Sequence, residues 1–400
     1  LTVKNTGGVL TVYELTYWKH LVNVNQIYLR LHYAHPISKM INVTRPFLPT
    51  QSEYEEKLTG IWNRNWLTNN GPLVNELELQ LKQFLDIDHL LYVTNGTIAL
   101  QMAIEALDLQ GEVITTPFSY IATTSSIIWQ GCEPVFADID PESLNIDPEQ
   151  IERVITPHTT GILATHTYGN ACRIEEIEAI ALKHGLKVIY DAAHCFGSVY
   201  KGKSLLSYGD ISTTSFHATK LFHTIEGGAV FTKSAALIRR MAFMRNFGHN
   251  GPTDFEEVGI NGKNSEFHAA MGLTNLRHVP SIIEKRSRVF DRYQFWMQHI
   301  IGRTISITPG CTFNFAYFPL IFESEKALLK AQHMLEAHWI YPRRYFYPAL
   351  NSLKFTPNSS MPVCDELCRR VLCLPMYDSL GIEEVDFICR IILRAQNNEF

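Results

Sequence analysis

Seven short apolar runs, at 90–94, 113–116, 135–138, 161–166, 187–190, 211–215 and 228–232, punctuate the middle of the chain. Between the first five lie segments long enough for a helix, such as Ile98–Leu107 and Ile174–His184, the latter closed by Gly185. Continuous apolar runs predict strands buried on both faces, and their alternation with helices predicts a mostly parallel sheet. The expected fold class is therefore α/β. Right-handed crossovers would place the loops after the strands along one edge, where ligands of such folds bind. Upstream, Leu73, Leu77, Leu81, Phe84 and Leu85 follow the turn Asn69-Asn70-Gly71-Pro72 at helical spacing. That pattern predicts an amphipathic helix entered through Pro72.

Downstream the alternation stops. A long helical stretch occupies 280–305, followed by strand-like Phe313–Phe322, helix-like Glu325–His338 and a C-terminal helix Ile382–Ala395. This divides the chain into a large domain, 40–285, and a smaller α+β domain, 286–400. Residues 1–39 show no sustained period, and Met40 opens the regular part. They are expected to be an upstream extension ahead of a natural start at Met40, the alternative being an arm that packs on a partner subunit.

Composition narrows the function classes. Of 400 residues, 46% are hydrophobic and 19% charged, which is the make-up of a folded chain. With 35 basic and 40 acidic side chains the net charge is −5, so a nucleic-acid partner is not expected. No apolar run reaches the ~18 residues of a membrane span, and no membrane partner is expected. The eight cysteines fall irregularly without a CxxC pair, and HExxH is absent, so neither a disulfide framework nor a metal is expected. Cytoplasmic location is the simplest expectation.

Three windows carry chemistry. In Ser215-Phe216-His217-Ala218-Thr219-Lys220, a lysine sits just beyond a buried strand end, where an amine loses solvation and becomes nucleophilic. In Val188-Ile189-Tyr190-Asp191-Ala192-Ala193-His194, a carboxylate ends an apolar strand; it is costly to bury unless a cation, such as a protonated pyridine nitrogen, meets it. In Val93-Thr94-Asn95-Gly96-Thr97, a strand enters a helix through a small-residue turn whose free N–H groups suit a phosphate. Each window alone has a plainer reading: a solvated lysine, an aspartate capping a strand-to-helix turn, a capped helix start. Together, in this order on an α/β frame, they point to pyridoxal phosphate.

The chain resembles the DegT-type sugar aminotransferases, fold-type I pyridoxal-phosphate enzymes, from about Met40 to Arg394. The resemblance rests on these windows and on Asn69-Asn70-Gly71-Pro72, Asn95-Gly96-Thr97-Ile98-Ala99-Leu100 and Pro117-Phe118-Ser119-Tyr120-Ile121-Ala122-Thr123. Gly259-Ile260-Asn261-Gly262-Lys263 and Ser265-Glu266-Phe267-His268-Ala269-Ala270 complete it. It implies an aspartate-aminotransferase-like fold with a seven-stranded sheet, and Lys220 as the Schiff-base lysine and proton shuttle. It implies Asp191 at the pyridine nitrogen, His194 near the phenolic oxygen and Tyr120 stacked on the ring. Gly96, Thr97 and Ser215 would hold the phosphate, and Asn261 would reach that of a neighbouring subunit in an obligate homodimer. Lys263 and Arg343 or Arg344 would meet the pyrophosphate of a nucleotide-sugar.

The related 3-dehydratases carry histidine where this chain has Lys220, which favours transamination. Asn264 departs from the family, where methionine is usual. Thr115–Thr123 and Tyr341–Pro348 look most like the enzymes that make dTDP-4-amino-4,6-dideoxy-D-glucose from dTDP-4-dehydro-6-deoxy-D-glucose and L-glutamate, for bacterial surface polysaccharide (O-antigen). A 3-aminotransferase of the same family, or a ligand-binding regulator on this fold, are the alternatives.

Overall fold

The computed structural model describes residues 40–397, so the expectation for 1–39 lies outside the described residues. The elements below belong to the unit Asn42–Phe400. Helix α1 (Gln51–Arg64) precedes α2 (Pro72–Leu85), where Leu73, Leu77, Leu81 and Leu85 are buried as predicted, whereas Phe84 of the same set is exposed. Asn69 and Asn70 turn the chain into α2 with φ of 62° and 55°. Then come β1 (His89–Val93), α3 (Gly96–Ala106), β2 (Glu112–Thr115), α4 (Ile121–Trp129), β3 (Glu133–Phe136), β4 (Thr159–Thr165), α5 (Ile174–His184), β5 (Lys187–Asp191), β6 (Ile211–Ser215) and β7 (Gly228–Thr232).

All seven apolar runs are strands of one sheet, in the order β1-β7-β6-β5-β4-β2-β3. Strands β2 to β6 pair in parallel, while β7 is antiparallel to both neighbours, β1 and β6. Alternate strand residues enter opposite layers. Tyr92, Val188, Tyr190, Ala229 and Phe231 pack on one face with α2 and α5. Leu91, Val93, Ile189 and Val230 pack on the other with α3 and with α6 (Ala235–Arg245). Two buried faces explain why the runs are continuous.

One buried carboxylate joins two distant motifs. Glu266, at the start of α7 (Glu266–Leu276), accepts from the N–H groups of Leu73 (3.0 Å) and Val74 (2.9 Å) at the start of α2. A Cβ on Gly71 would lie 2.5 Å from that carboxyl carbon, so only glycine fits there. Helix α2 thus receives its cap from 190 positions or more along the chain, an anion at a helix N-terminus.

Helix α8 (Val279–Met297) buries Val279, Ile282, Val289 and Tyr293 along one stripe. The strand expected over Phe313–Phe322 is shorter: only β8 (Phe318–Ile321) pairs, antiparallel, with β9 (Val371–Leu374). Its first half is drawn aside. Just before it Cys311 and Thr312 pair with Tyr200 and Val199; within it Asn314 donates to the carbonyls of His194 (2.7 Å) and Phe196 (3.0 Å), and Phe315 takes φ 56°. Helices α9 (Glu325–Ala337) and α10 (Ile382–Asn397) follow as predicted. Among the described residues no helix is long and apolar enough to cross a membrane.

Candidate active site

The register places the C-terminal ends of β1, β2, β4, β5 and β6 on one edge, with Gly228 at the start of β7 opposite both Val93 and Ser215. The three chemistry-bearing windows all leave the sheet there. Asp191 is the last residue of β5, and Lys220 lies in the loop that carries the chain from β6 back into β7. A cavity at this edge is lined by Ala193, His194, Ser215, Thr219, Lys220 and Tyr317, among others.

Asp191 is buried, at 6% exposure. One carboxyl oxygen accepts from the Thr123 hydroxyl at 2.7 Å, the other from the Ala193 N–H at 3.1 Å. The turn after β5 takes one of these oxygens, but no helix follows before Val199, so the plainer reading of a helix-capping aspartate does not hold. Burial raises the carboxyl above its ordinary value, opposed by Thr123, Ala193 and the charge of Lys220. For Lys220, burial lowers the amine, opposed by Asp191, Tyr345 and Tyr120. Its Nζ lies 3.5 Å from the Tyr317 hydroxyl. A lysine in this setting gives up its proton more readily than a solvated one.

His194 accepts at Nδ1 from the Tyr168 N–H, 3.2 Å away, which leaves the proton of the neutral ring on Nε2. Burial holds the ring well below the ordinary histidine value, so it is neutral. The rings of Tyr317 (4.8 Å) and Phe346 (5.7 Å) enclose it. Gly96 opens α3, whose cap is the Asn95 side chain accepting from the Ile98 N–H at 2.9 Å. A Cβ on Gly96 would lie 2.9 Å from that of Ser215, so glycine lets these two anchors meet. Thr97 is exposed on the first turn of α3, and Tyr120 stands at the start of α4 with 60% of its surface free.

Asn261 and Lys263 lie apart from the cavity's lining but beside the phosphate-type turn, because Gly262 accepts from the Thr94 N–H at 3.0 Å. Within the chain Lys263 donates to Asn261 at 2.9 Å and covers the Phe247 ring at 4.4 Å. The two arginines separate. Arg344 is committed to Glu325 (2.7 Å), the Arg369 carbonyl (3.0 Å) and the Tyr347 ring (3.7 Å). Arg343 is exposed, held by its backbone against Cys373, and its charge acts on Tyr345.

Sequence reasoning missed Thr123, Tyr168, Tyr317 and Phe346. Thr123 left a trace, since Thr123-Thr124-Ser125-Ser126 is a polar run inside a helix flanked by apolar residues, and three of the four are fully buried. Tyr317 left none, because it arrives from a remote segment that the pattern assigned to a strand.

Comparison with known proteins agrees with this geometry. The model of the DegT/DnrJ/EryC1/StrS aminotransferase family matches residues 50–393. A dTDP-4-amino-4,6-dideoxy-D-glucose transaminase of Shigella dysenteriae is 42% identical over 364 residues, 89% of this chain and 99% of the relative. A protein of the same name from Escherichia coli is 39% identical over 89% of this chain and 98% of its own length. Among solved structures, DesI in the presence of its TDP-sugar product superposes with a TM-score of 0.85 at 32% identity, over 90% of this chain and 94% of DesI.

Proposed function

The chain belongs to the DegT/DnrJ/EryC1/StrS aminotransferase family, and on that footing we propose that it moves the amino group of L-glutamate to carbon 4 of dTDP-4-dehydro-6-deoxy-D-glucose. The products are dTDP-4-amino-4,6-dideoxy-D-glucose and 2-oxoglutarate. That the protein is a pyridoxal-phosphate-dependent aminotransferase of nucleotide sugars follows from its family and relatives. The particular sugar, nucleotide and donor are our reading, as are action as a cytoplasmic homodimer and supply of O-antigen synthesis. The observation that supports it is 42% identity running through 99% of a relative that bears the product's name.

The residues fit the cofactor on two structural grounds. The glycine at position 96 keeps the helix start open against Ser215, as an anion cradle requires. A buried carboxylate, a buried neutral imidazole and a desolvated amine converge on one edge, a donor set that suits a ring with a cationic nitrogen and a phenolic oxygen. When bound, pyridoxal phosphate supplies the carbonyl that exchanges amines and the ring that withdraws electrons from the reacting carbon.

The side chains then divide the work. Lys220, short of solvation, would take the proton from the α-carbon of glutamate at Nζ and hand it on to the cofactor side, and would carry a proton the opposite way, to carbon 4, for the sugar. Asp191 would hold a positive nitrogen, and His194 would offer its Nε2–H to an oxygen. Gly96, Thr97 and Ser215 would hold the phosphate at the N-terminus of α3. The exposed face of Tyr120 is free to lie against the ring. For the sugar's pyrophosphate we assign Lys263 and Arg343, since Arg344 is already paired with Glu325. The partner subunit's Asn261 would complete the phosphate site.

Incubating the protein with pyridoxal phosphate, glutamate and the 4-keto sugar, and locating the new amine by NMR, tests the reading. Amination at carbon 4 is the expected result. Amination at carbon 3 of a 3-keto isomer, with the 4-keto sugar untouched, would replace it with the alternative regiochemistry.

A further inference from the structure

Behind Asp191 stands a file of three hydroxyls. Thr123 donates to the Asp191 carboxylate at 2.7 Å, Ser119 is 2.7 Å from Thr123, and Thr165 is 2.9 Å from Ser119. All are sealed from solvent, with exposures of 0%, 2% and 2% for Thr123, Ser119 and Thr165. They come from three elements: the first turn of α4, the loop after β2, and the last residue of β4, which pairs in register with Asp191 itself.

Counting protons fixes the direction of this file. An ionised carboxylate only accepts, so the single Thr123 proton points at Asp191. The bond between Ser119 and Thr123 must then use the Ser119 proton, and the bond between Ser119 and Thr165 must use that of Thr165. Every hydroxyl dipole in the file points toward the carboxylate. Such chains polarise one another, and every dipole in this one favours a charge on Asp191. A proton on the bonded oxygen, aimed at Thr123, would turn the Thr123 hydroxyl away from the carboxyl.

Resting on the reading of Asp191 as the partner of the cofactor's ring nitrogen, we propose that Thr123, Ser119 and Thr165 form a one-way relay of positioning residues. It locks the carboxylate's orientation and keeps it ionised although it is buried. Thr123 is the member in contact, and Ser119 and Thr165 act through it. The other ionisable groups whose charge acts with that of Asp191 are Lys220 from the β6–β7 loop, Cys195 from its own loop, and Tyr317, while His194 faces Lys220. Only Lys220 among them carries a positive charge that favours the ionised acid.

The test uses the full-length chain with 13C-labelled aspartate. Thr123→Val removes the terminal donor at constant shape, and Thr123→Ser restores it. The relay predicts that Thr123→Val raises the Asp191 carboxyl titration by about one unit or more, the loss of a hydrogen bond to a charged group. In the holoenzyme it predicts cofactor affinity weakened about 10- to 100-fold and kcat lowered with little change in KM. Thr123→Ser should recover both to within about threefold. Ser119→Ala should show a smaller effect of the same kind, and adding it to Thr123→Val should change little more, because a serial chain is already cut. An unchanged Asp191 titration in either Thr123→Val or Ser119→Ala would overturn the relay, as would full additivity. The carboxyl titration needs no cofactor, so a wild-type protein that failed to bind pyridoxal phosphate would remove the functional reading while the relay was still decided.

Discussion

The Lys220 amine and the Tyr317 hydroxyl meet at 3.5 Å across the junction between the β6–β7 loop and the segment that leads into β8. Tyr317 is held on three sides. Arg286 of α8 donates to the neighbouring Ala316 carbonyl at 3.2 Å, and the rings of His194 and Tyr168 pack at 4.8 and 5.5 Å. The hydroxyl thus fixes where the amine rests, which bears on the proton transfer proposed for Lys220. Tyr317→Phe, which keeps the packing, should lower kcat about 3- to 10-fold with little change in cofactor binding, the effect of one hydrogen bond. Steady-state rates beside a cofactor titration check it.

Asp191 carries a stability cost in the cofactor-free protein. Burial raises its carboxyl above the ordinary 3.8 in the folded chain. Between that value and the raised one the folded state holds more protons than the unfolded, so stability falls as pH rises through the window. Above it the buried charge is a standing penalty in the cofactor-free protein. Asp191→Asn should flatten this acid-side dependence and leave the cofactor-free protein at least as stable at pH 8, while abolishing transamination. Thermal unfolding from pH 4 to 8, beside wild type, gives the comparison.

Glu266 is a structural acid in a motif that reads as functional. It supplies two charge-assisted bonds to the first turn of α2. Glu266→Ala leaves both N–H groups buried without a partner and should cost about 2–4 kcal/mol in denaturant unfolding. Gly71→Ala should destabilise in the same way, since its Cβ would displace that carboxylate.

The adjacent arginines should separate by phenotype. Arg343→Ala is expected to raise KM for the nucleotide sugar about tenfold without a shift in melting temperature, as loss of a charged contact to pyrophosphate would. Arg344→Ala breaks the pair with Glu325 and the contact with Tyr347, and should lower the melting temperature with KM unchanged. Kinetics and melting curves of the two variants decide the assignment.

What the sequence disclosed follows from how its information is distributed. The sheet was legible because most of its strands are buried and carry short apolar runs, as Val188-Ile189-Tyr190 does in β5, although β6 is mostly hydroxyl side chains. Asp191 could be singled out because it ends such a run, and Gly96 and Lys220 because they lie in the segments that leave one, after Val93 and Ser215. The strand expected over Phe313–Phe322 was too long, because Phe313 and Phe315 pack beside Phe290 of α8, with centroids 5.5 and 5.4 Å away, while Asn314 ties the backbone to His194. Tyr317 and the hydroxyl file were beyond reach for a related reason. Their partners lie 97, 46 and 68 positions away for Lys220–Tyr317, Ser119–Thr165 and Thr123–Asp191, and no local period records such a meeting.

The central claim is that Lys220 takes and returns the proton in amino transfer at this sheet edge. Its most direct test is the visible absorbance of the protein with pyridoxal phosphate, followed as glutamate and then the 4-keto sugar are added, in wild type and in Lys220→Ala. In wild type the spectrum should be converted by glutamate and restored by the sugar. In Lys220→Ala the spectrum should be altered and turnover lowered by at least about a thousandfold, the scale of a lost general acid–base together with a lost nucleophile. A Lys220→Ala variant that cycles at the wild-type rate would contradict it.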